Sequence, residues 1–197
     1  MFLLPDDAWE IRNTPLKGRA VFAKKPIAQG AIIGDYLGTV VQMSEYDVGN
    51  DAQGLYLMYL TDDACIYPDV HSPGLHCINH SCTPNSWMYI YKGHTLFVAI
   101  RTILPGEEIA ISYCLSPKDD TCENCAHKCY CGSENCTGSM HFSKTQYVLW
   151  KQFLKSHMMH MKTPLYTFGK QLRKLSAYPL SIPVDPIYQH IISGVYP

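Results

Sequence analysis

The 197-residue sequence is 47% hydrophobic and 17% charged, and its 16 basic and 17 acidic side chains leave a formal net charge of −1. This composition excludes a disordered chain, and the length allows one domain with an appendage. Strong non-specific nucleic-acid binding would need a basic patch, and the one small group, Lys170, Arg173 and Lys174, reads as a solvated helix face. No apolar run approaches the roughly 20 residues that span a bilayer.

The opening MFLLPDD turns acidic too soon for a secretory signal. The nine cysteines are odd in number and crowd one region. Metal binding in a reducing compartment, nucleus or cytoplasm, therefore explains them better than a disulfide framework.

Taken in order, residues 1–15 read as a lead-in. The stretches AVFA, AIIGDYL and TVV, punctuated by Gly30, Gly34 and Gly38, read as short strands joined by tight turns. Residues 42–54 are polar and predict a helical turn and loop. GLYLMYL (54–60) and CIYPDV (65–70) are further strand candidates. SWMYIYK and HTLFVAI follow as two strands about a hairpin turn at Gly93-His94, and Leu104-Pro105-Gly106 turns into EEIAISY. Glu107 and Glu108 are neighbours on that strand and point to opposite faces, so they do not form an acid/base pair and read as a structural strand entry.

The densest constellation is Cys122-x2-Cys125-x3-Cys129-x-Cys131-x4-Cys136, a thiolate spacing that suits tetrahedral zinc. A self-contained finger of Cys122, Cys125, Cys131 and Cys136 is one solution; otherwise Cys122 and Cys125 are free thiols or join Cys114 or His127 in a second site. A DNA-binding finger is disfavoured, because no basic helix adjoins these cysteines. Ser143 reads as the N-cap of a helix whose Tyr147, Trp150, Leu154, Met158 and Met161 recur at helical spacing. A second helix is expected near 165–176. These C-terminal helices could dock on the rest of the chain, mediate a homodimer or hold a partner.

Two motifs carry a specific resemblance. NHSCTPN (79–85), followed by Arg101-x-Ile103-x-x-Gly106-Glu107-Glu108-Ile109-x-x-x-Tyr113, resembles the SET-domain family of protein-lysine methyltransferases. With Lys17-Gly18-Arg19-Ala20, the resemblance spans roughly residues 15–140. It implies a mainly β fold of small curved sheets with short helices and a threaded C-terminal segment. The implied organisation is a catalytic domain over 10–116, a post-SET zinc segment over 117–140 and a helical extension over 141–197.

The resemblance also implies roles. Lys17, Gly18, Arg19 and Ala20 would lay their backbone along S-adenosylmethionine, Asn79 and His80 would meet its adenine and amino-acid ends, and Tyr113 would sit at the base of a lysine channel. Tyr56 would wall that channel, and Tyr36 is set apart with them from the other tyrosines by position. Cys82 would complete a zinc site with Cys129, Cys131 and Cys136. The substrate would be a lysine-bearing protein, most commonly a histone in this family.

Three positions depart from or refine the family pattern. Ala20 replaces a glycine, which would cost on the order of 1 kcal/mol if the site needed a positive φ. His76 stands where the family usually has arginine. Ile111 stands where a phenol often limits the number of methyls, so progression beyond monomethylation is expected. A non-catalytic, zinc-stapled scaffold is the alternative reading.

Overall fold

The computed structural model describes residues 4–5, 7–45, 56–61, 63–119, 122, 125–158 and 166–194. Among the described residues, ten short strands and two α-helices form. The strands are β1 (Trp9–Thr14), β2 (Gly18–Ala23), β3 (Ile32–Asp35), β4 (Thr39–Gln42), β5 (Met58–Tyr59), β6 (Ala64–Tyr67), β7 (Asn79–His80), β8 (Ser86–Tyr91), β9 (His94–Ala99) and β10 (Glu108–Ile111). The helices are α1 (Lys144–Met158) and α2 (Pro186–Ser193). The mainly β expectation and the C-terminal helical extension therefore hold.

Three small sheets form, in the orders β1-β2-β10-β7, β3-β9-β8 and β4-β6-β5. Two of them contain hairpins that follow from local chemistry. The β1–β2 register runs from Trp9 opposite Ala23 to Thr14 opposite Gly18, closed by three residues and by Gly18 at φ +67°. A short loop followed by a left-handed glycine that re-enters the strand is a compact hairpin closure. The β8–β9 hairpin pairs Tyr91 with His94, so its two-residue turn is Lys92-Gly93 at φ 49° and 80°, one residue earlier than predicted. Positive φ at both positions is the type I′ geometry that matches strand twist.

Strand β9 organises the interior. All six of its residues are buried, and alternate side chains enter two cores, as a period of two requires. Phe97 and Ala99 join Val21, Ile33, Tyr36, Ile78, Ile109 and Ile111 on one face. Leu96 and Val98 join Trp87, Phe142, Trp150, Phe153, Tyr188 and Ile191 on the other. The second core is where the C-terminal extension docks. Trp150 and Phe153 of α1 and Tyr188 and Ile191 of α2 are thus buried against the chain's own sheet, while Val148 and Ile187 stay exposed.

Ser143 caps α1 reciprocally: Gln146 N donates to Ser143 Oγ at 3.2 Å, and Ser143 N donates to Gln146 Oε1 at 3.0 Å. This is a capping box. Met158 closes the described helix, while its side chain and Met161 lie outside the described residues. The helix expected near 165–176 does not form over the described 166–176. Gly169 N donates to Val40 O, Val40 N donates to Lys170 O, and Leu172 N donates to Gly38 O. Those backbone groups complete the edge of β4, which outweighs a weak helical periodicity. Likewise 43–45 form a helical turn, but 46–55 lie outside the described residues.

The final strand is held from an unexpected side. Strand β10 lies between β2 and β7, parallel to β7, with Ala110 opposite Asn79 and Ile111 opposite His80. Asn85, 5% exposed, clamps it: Ala110 N donates to Asn85 Oδ1 at 3.0 Å and Asn85 Nδ2 donates to Glu108 O at 2.8 Å. Asn85→Ala leaves a buried donor and acceptor without partners. It is expected to lower unfolding free energy by about 2–4 kcal/mol, read by urea denaturation. A change within experimental error would remove the clamp from the account.

Candidate active site

Around the β7–β10 pair, main chain and side chains converge. Asn79 Nδ2 donates to Arg19 O at 3.0 Å and to Glu108 Oε1 at 3.3 Å. The other Glu108 oxygen pairs with Lys17 Nζ, with both side chains about one-fifth exposed. One carboxylate thus ties the Lys17-Gly18-Arg19 loop to Asn79. Sequence reasoning placed Glu108 at a strand entry and missed this role. Its partner Glu107 does face away, to Leu104 N and Arg101, as strand alternation demands.

Ala20 lies in β2, fully buried opposite Arg12. It is not among the non-glycine residues with positive φ, so its Cβ carries no left-handed strain. His76 Nε2 is 3.4 Å from Arg19 Nη2, which also donates to Val70 O at 2.8 Å. A guanidinium therefore reaches His76 from the neighbouring loop. Burial and that cation hold His76 below the usual histidine range.

His80 is buried, and its Nδ1 accepts from Tyr113 N at 3.1 Å. Burial pushes its pKa down to about 4. A neutral ring with Nδ1 as acceptor leaves Nε2 carrying the proton. The Tyr113 ring packs edge-on against it at 5.5 Å.

The Tyr113 hydroxyl donates to Ile78 O at 3.2 Å, and the Tyr36 hydroxyl donates to Tyr56 O at 2.5 Å. Each phenol has spent its proton on a carbonyl, so its oxygen lone pairs are what remain for a ligand. Burial raises the pKa of both, and nearby phenols add to it, Tyr113 and Tyr56 at Tyr36 and Tyr56 at Tyr113. Both stay protonated near neutrality, so neither serves as a general base. Tyr56 packs edge-on against His76 at 5.6 Å.

Two openings adjoin these groups. A cleft of about 200 Å³ is lined by Lys17, Ser81, Asn85, Glu108 and Cys131. A groove of about 790 Å³ runs along Trp9, Ile11, Tyr36, Leu75 and His76.

The sulfurs of Cys82, Cys129, Cys131 and Cys136 lie within 4.8 Å of one another. Zinc bound to four thiolates at about 2.3 Å needs sulfur–sulfur edges of about 3.8 Å. Cys82 and Cys129 are 3.7 Å apart. The donor set therefore fits Zn²⁺. At Cys131 burial would raise the thiol, but Ser133 Oγ at 3.1 Å and backbone hydrogen bonds prevail and bring it down to about 6. The grouping differs from the self-contained finger, since Cys122 and Cys125 lie instead with His141. Cys114 is apart from both groups, its thiol pushed up to about 12 by burial.

Comparison with known proteins places this geometry. The SET-domain family model matches residues 18–114. The chain is 30% identical over 156 residues to histone-lysine N-methyltransferase mes-4 of Caenorhabditis elegans, covering 66% of this chain and 16% of that protein. It is 32% identical over 138 residues to an H3 lysine-36 specific histone-lysine N-methyltransferase of Candida albicans, covering 64% and 16%. Histone-lysine N-methyltransferase Set2 of Drosophila melanogaster is 32% identical over 145 residues, covering 66% and 6%. The chain thus spans less than a fifth of the length of each of these relatives. Among the described residues, no helix is long and apolar enough to cross a membrane.

Proposed function

Residues 18–114 of this chain are a SET domain, and on that premise we propose that the protein is an S-adenosylmethionine-dependent protein-lysine N-methyltransferase acting on a histone lysine. The observation that carries this reading is the tie between Tyr113, Ile78 and His80 at the end of β10, beside the Lys17-Gly18-Arg19 loop. Histone as substrate rests on the printed activities of the relatives, and a nuclear location would follow from it.

S-adenosylmethionine supplies an electrophilic methyl on a sulfonium. The sulfur–carbon bond breaks as the nitrogen–carbon bond forms, and the lysine must arrive neutral because an ammonium has no lone pair. An apolar channel favours loss of that proton to water. Tyr113 and Tyr36 cannot accept it as phenolates, so their task is positioning: oxygen lone pairs and ring walls aligning the nitrogen at about 3–3.5 Å from the methyl. Asn79 Oδ1 is the acceptor left for a polar end of the methyl donor, whereas His80 Nε2 faces Cys82 Sγ at 3.7 Å and so links this pair to the thiol cluster. Lys17, Gly18, Arg19 and Ala20 provide the neighbouring backbone, held by Glu108.

Cys82, Cys129, Cys131 and Cys136 would hold the zinc, which supplies a covalent-strength tie between the NHSC segment and the tail. Closing the tail over the site excludes water from the reacting atoms. The scaffold alternative drew on Ala20 and His76. An unstrained Ala20 and a His76 partnered by Arg19 remove that support.

The reading is tested by incubating the full chain with S-adenosylmethionine and histone octamers, followed by peptide mass spectrometry. Lysine peptides gaining methyl mass are expected; their complete absence, with donor bound, would overturn the histone assignment. Ile111, 2% exposed in β10, offers no phenol to hold a water in the channel. Dimethyl or trimethyl products are therefore expected to accumulate in the same spectra. A product that stops at monomethyl-lysine refutes this role for Ile111.

A further inference from the structure

Outside the Cys82 cluster, a second set of soft donors converges at the root of the cysteine-rich segment. The ligand atoms of Cys122, Cys125 and His141 lie within 4.8 Å of one another. Cys125 Sγ and His141 Nε2 are 3.4 Å apart. A tetrahedral zinc with sulfur at about 2.3 Å and nitrogen at about 2.05 Å requires a sulfur–nitrogen edge of about 3.6 Å.

The orientation of His141 is settled by its other nitrogen, which contacts Ser116 O at 2.6 Å. A carbonyl can only accept, so Nδ1 carries the proton and Nε2 faces Cys125 with its lone pair. That backbone anchor is the arrangement by which ligating histidines are usually fixed.

His127 adjoins these three donors without belonging to their 4.8 Å cluster. Its ring lies 5.1 Å from the His141 ring, edge to face. Its Nδ1 is buried and has no hydrogen-bond partner among the described residues. A buried imidazole nitrogen without a partner is costly, and a metal ion would satisfy it.

We propose that Cys122, Cys125, His127 and His141 bind a second zinc ion, separate from the Cys82 cluster. The site clips the two ends of the cysteine-rich segment together. Leu115 bridges His141 in parallel, and Phe142 N donates to Leu115 O at 3.0 Å. The second zinc would fix this root, from which the loop bearing Cys129, Cys131 and Cys136 is presented to Cys82.

The proposal goes beyond the methyltransferase reading and is tested without it. Zinc is measured by elemental mass spectrometry on the full chain purified without chelator, and two equivalents per chain are expected. Cys122→Ser with Cys125→Ser should lower this to one, and His141→Cys should retain two because a thiolate can replace the imidazole. A wild-type value of one, unchanged in the double-serine variant, would overturn the second site. Zinc-edge X-ray absorption on the wild type guards against misfolded variants. An average of three sulfurs and one nitrogen per zinc is expected from one four-sulfur site and one two-sulfur, two-nitrogen site. Sulfur-only coordination would refute the proposal while leaving the Cys82 site and the methyltransferase reading untouched.

Discussion

Replacing Tyr113 by phenylalanine is expected to lower lysine methylation by about 100-fold or more while leaving S-adenosylmethionine affinity within about twofold. The substitution keeps the ring that packs against His80 at 5.5 Å and removes only the hydroxyl that donates to Ile78 O. That hydrogen bond fixes the phenol oxygen at one place. Burial keeps the phenol protonated, so its loss should cut turnover without altering the shape of the pH–rate profile. Parallel kinetics and calorimetry separate the two effects. A variant with the wild-type rate removes Tyr113 from the base of the channel. A variant that no longer binds the donor assigns the hydroxyl to donor binding instead.

Loss of zinc from the Cys82 cluster is expected to weaken donor binding by more than about tenfold, each tenfold step being ~1.4 kcal/mol. The tail around it has little else to hold it. Cys129 is its buried residue, Tyr130 is 49% exposed, and a few main-chain contacts such as Cys129 N to Gly138 O close the loop. A segment so short of apolar area depends on its metal for order. Cys82 comes from β7's flank rather than from the tail, so Cys82→Ser should cut the tie between them without a chelator and reproduce the loss. Chelation and this variant together also separate the two proposed ions, since only chelation strips both. Undiminished donor affinity after verified zinc loss at Cys82 would detach the tail from the active site.

The parts of this fold that were legible in the sequence are those encoded locally. Alternating or continuous apolar stretches bounded by turn residues located β2, β3, β8, β9 and β10, and the Ser143 cap announced α1. What failed was decided by distant partners. Residues 166–176 look helical in isolation, but β4 offers unpaired backbone groups that an extended segment can satisfy. The dual burial of β9 hides in a continuous apolar run, and nothing local says that α1 and α2 supply its second face.

The candidate site divides in the same way. NHSC, the Lys17 loop and Tyr113 form recognisable motifs, while Glu108 and Asn85 act across the chain and show only as a strand entry and a turn. His141 was missed because 16 positions separate it from Cys125 and no second histidine follows at ligand spacing. The available signal was Cys-x2-Cys followed by a histidine just before a helix cap, with His127 between them.

The most direct measurement is a calorimetric titration of S-adenosylmethionine into the zinc-replete full chain, which needs no knowledge of the protein substrate. Saturable binding near one donor per chain, weakened by Asn79→Ala, is the result this account predicts. The absence of binding to folded, zinc-replete protein would contradict it and leave the SET domain as a scaffold.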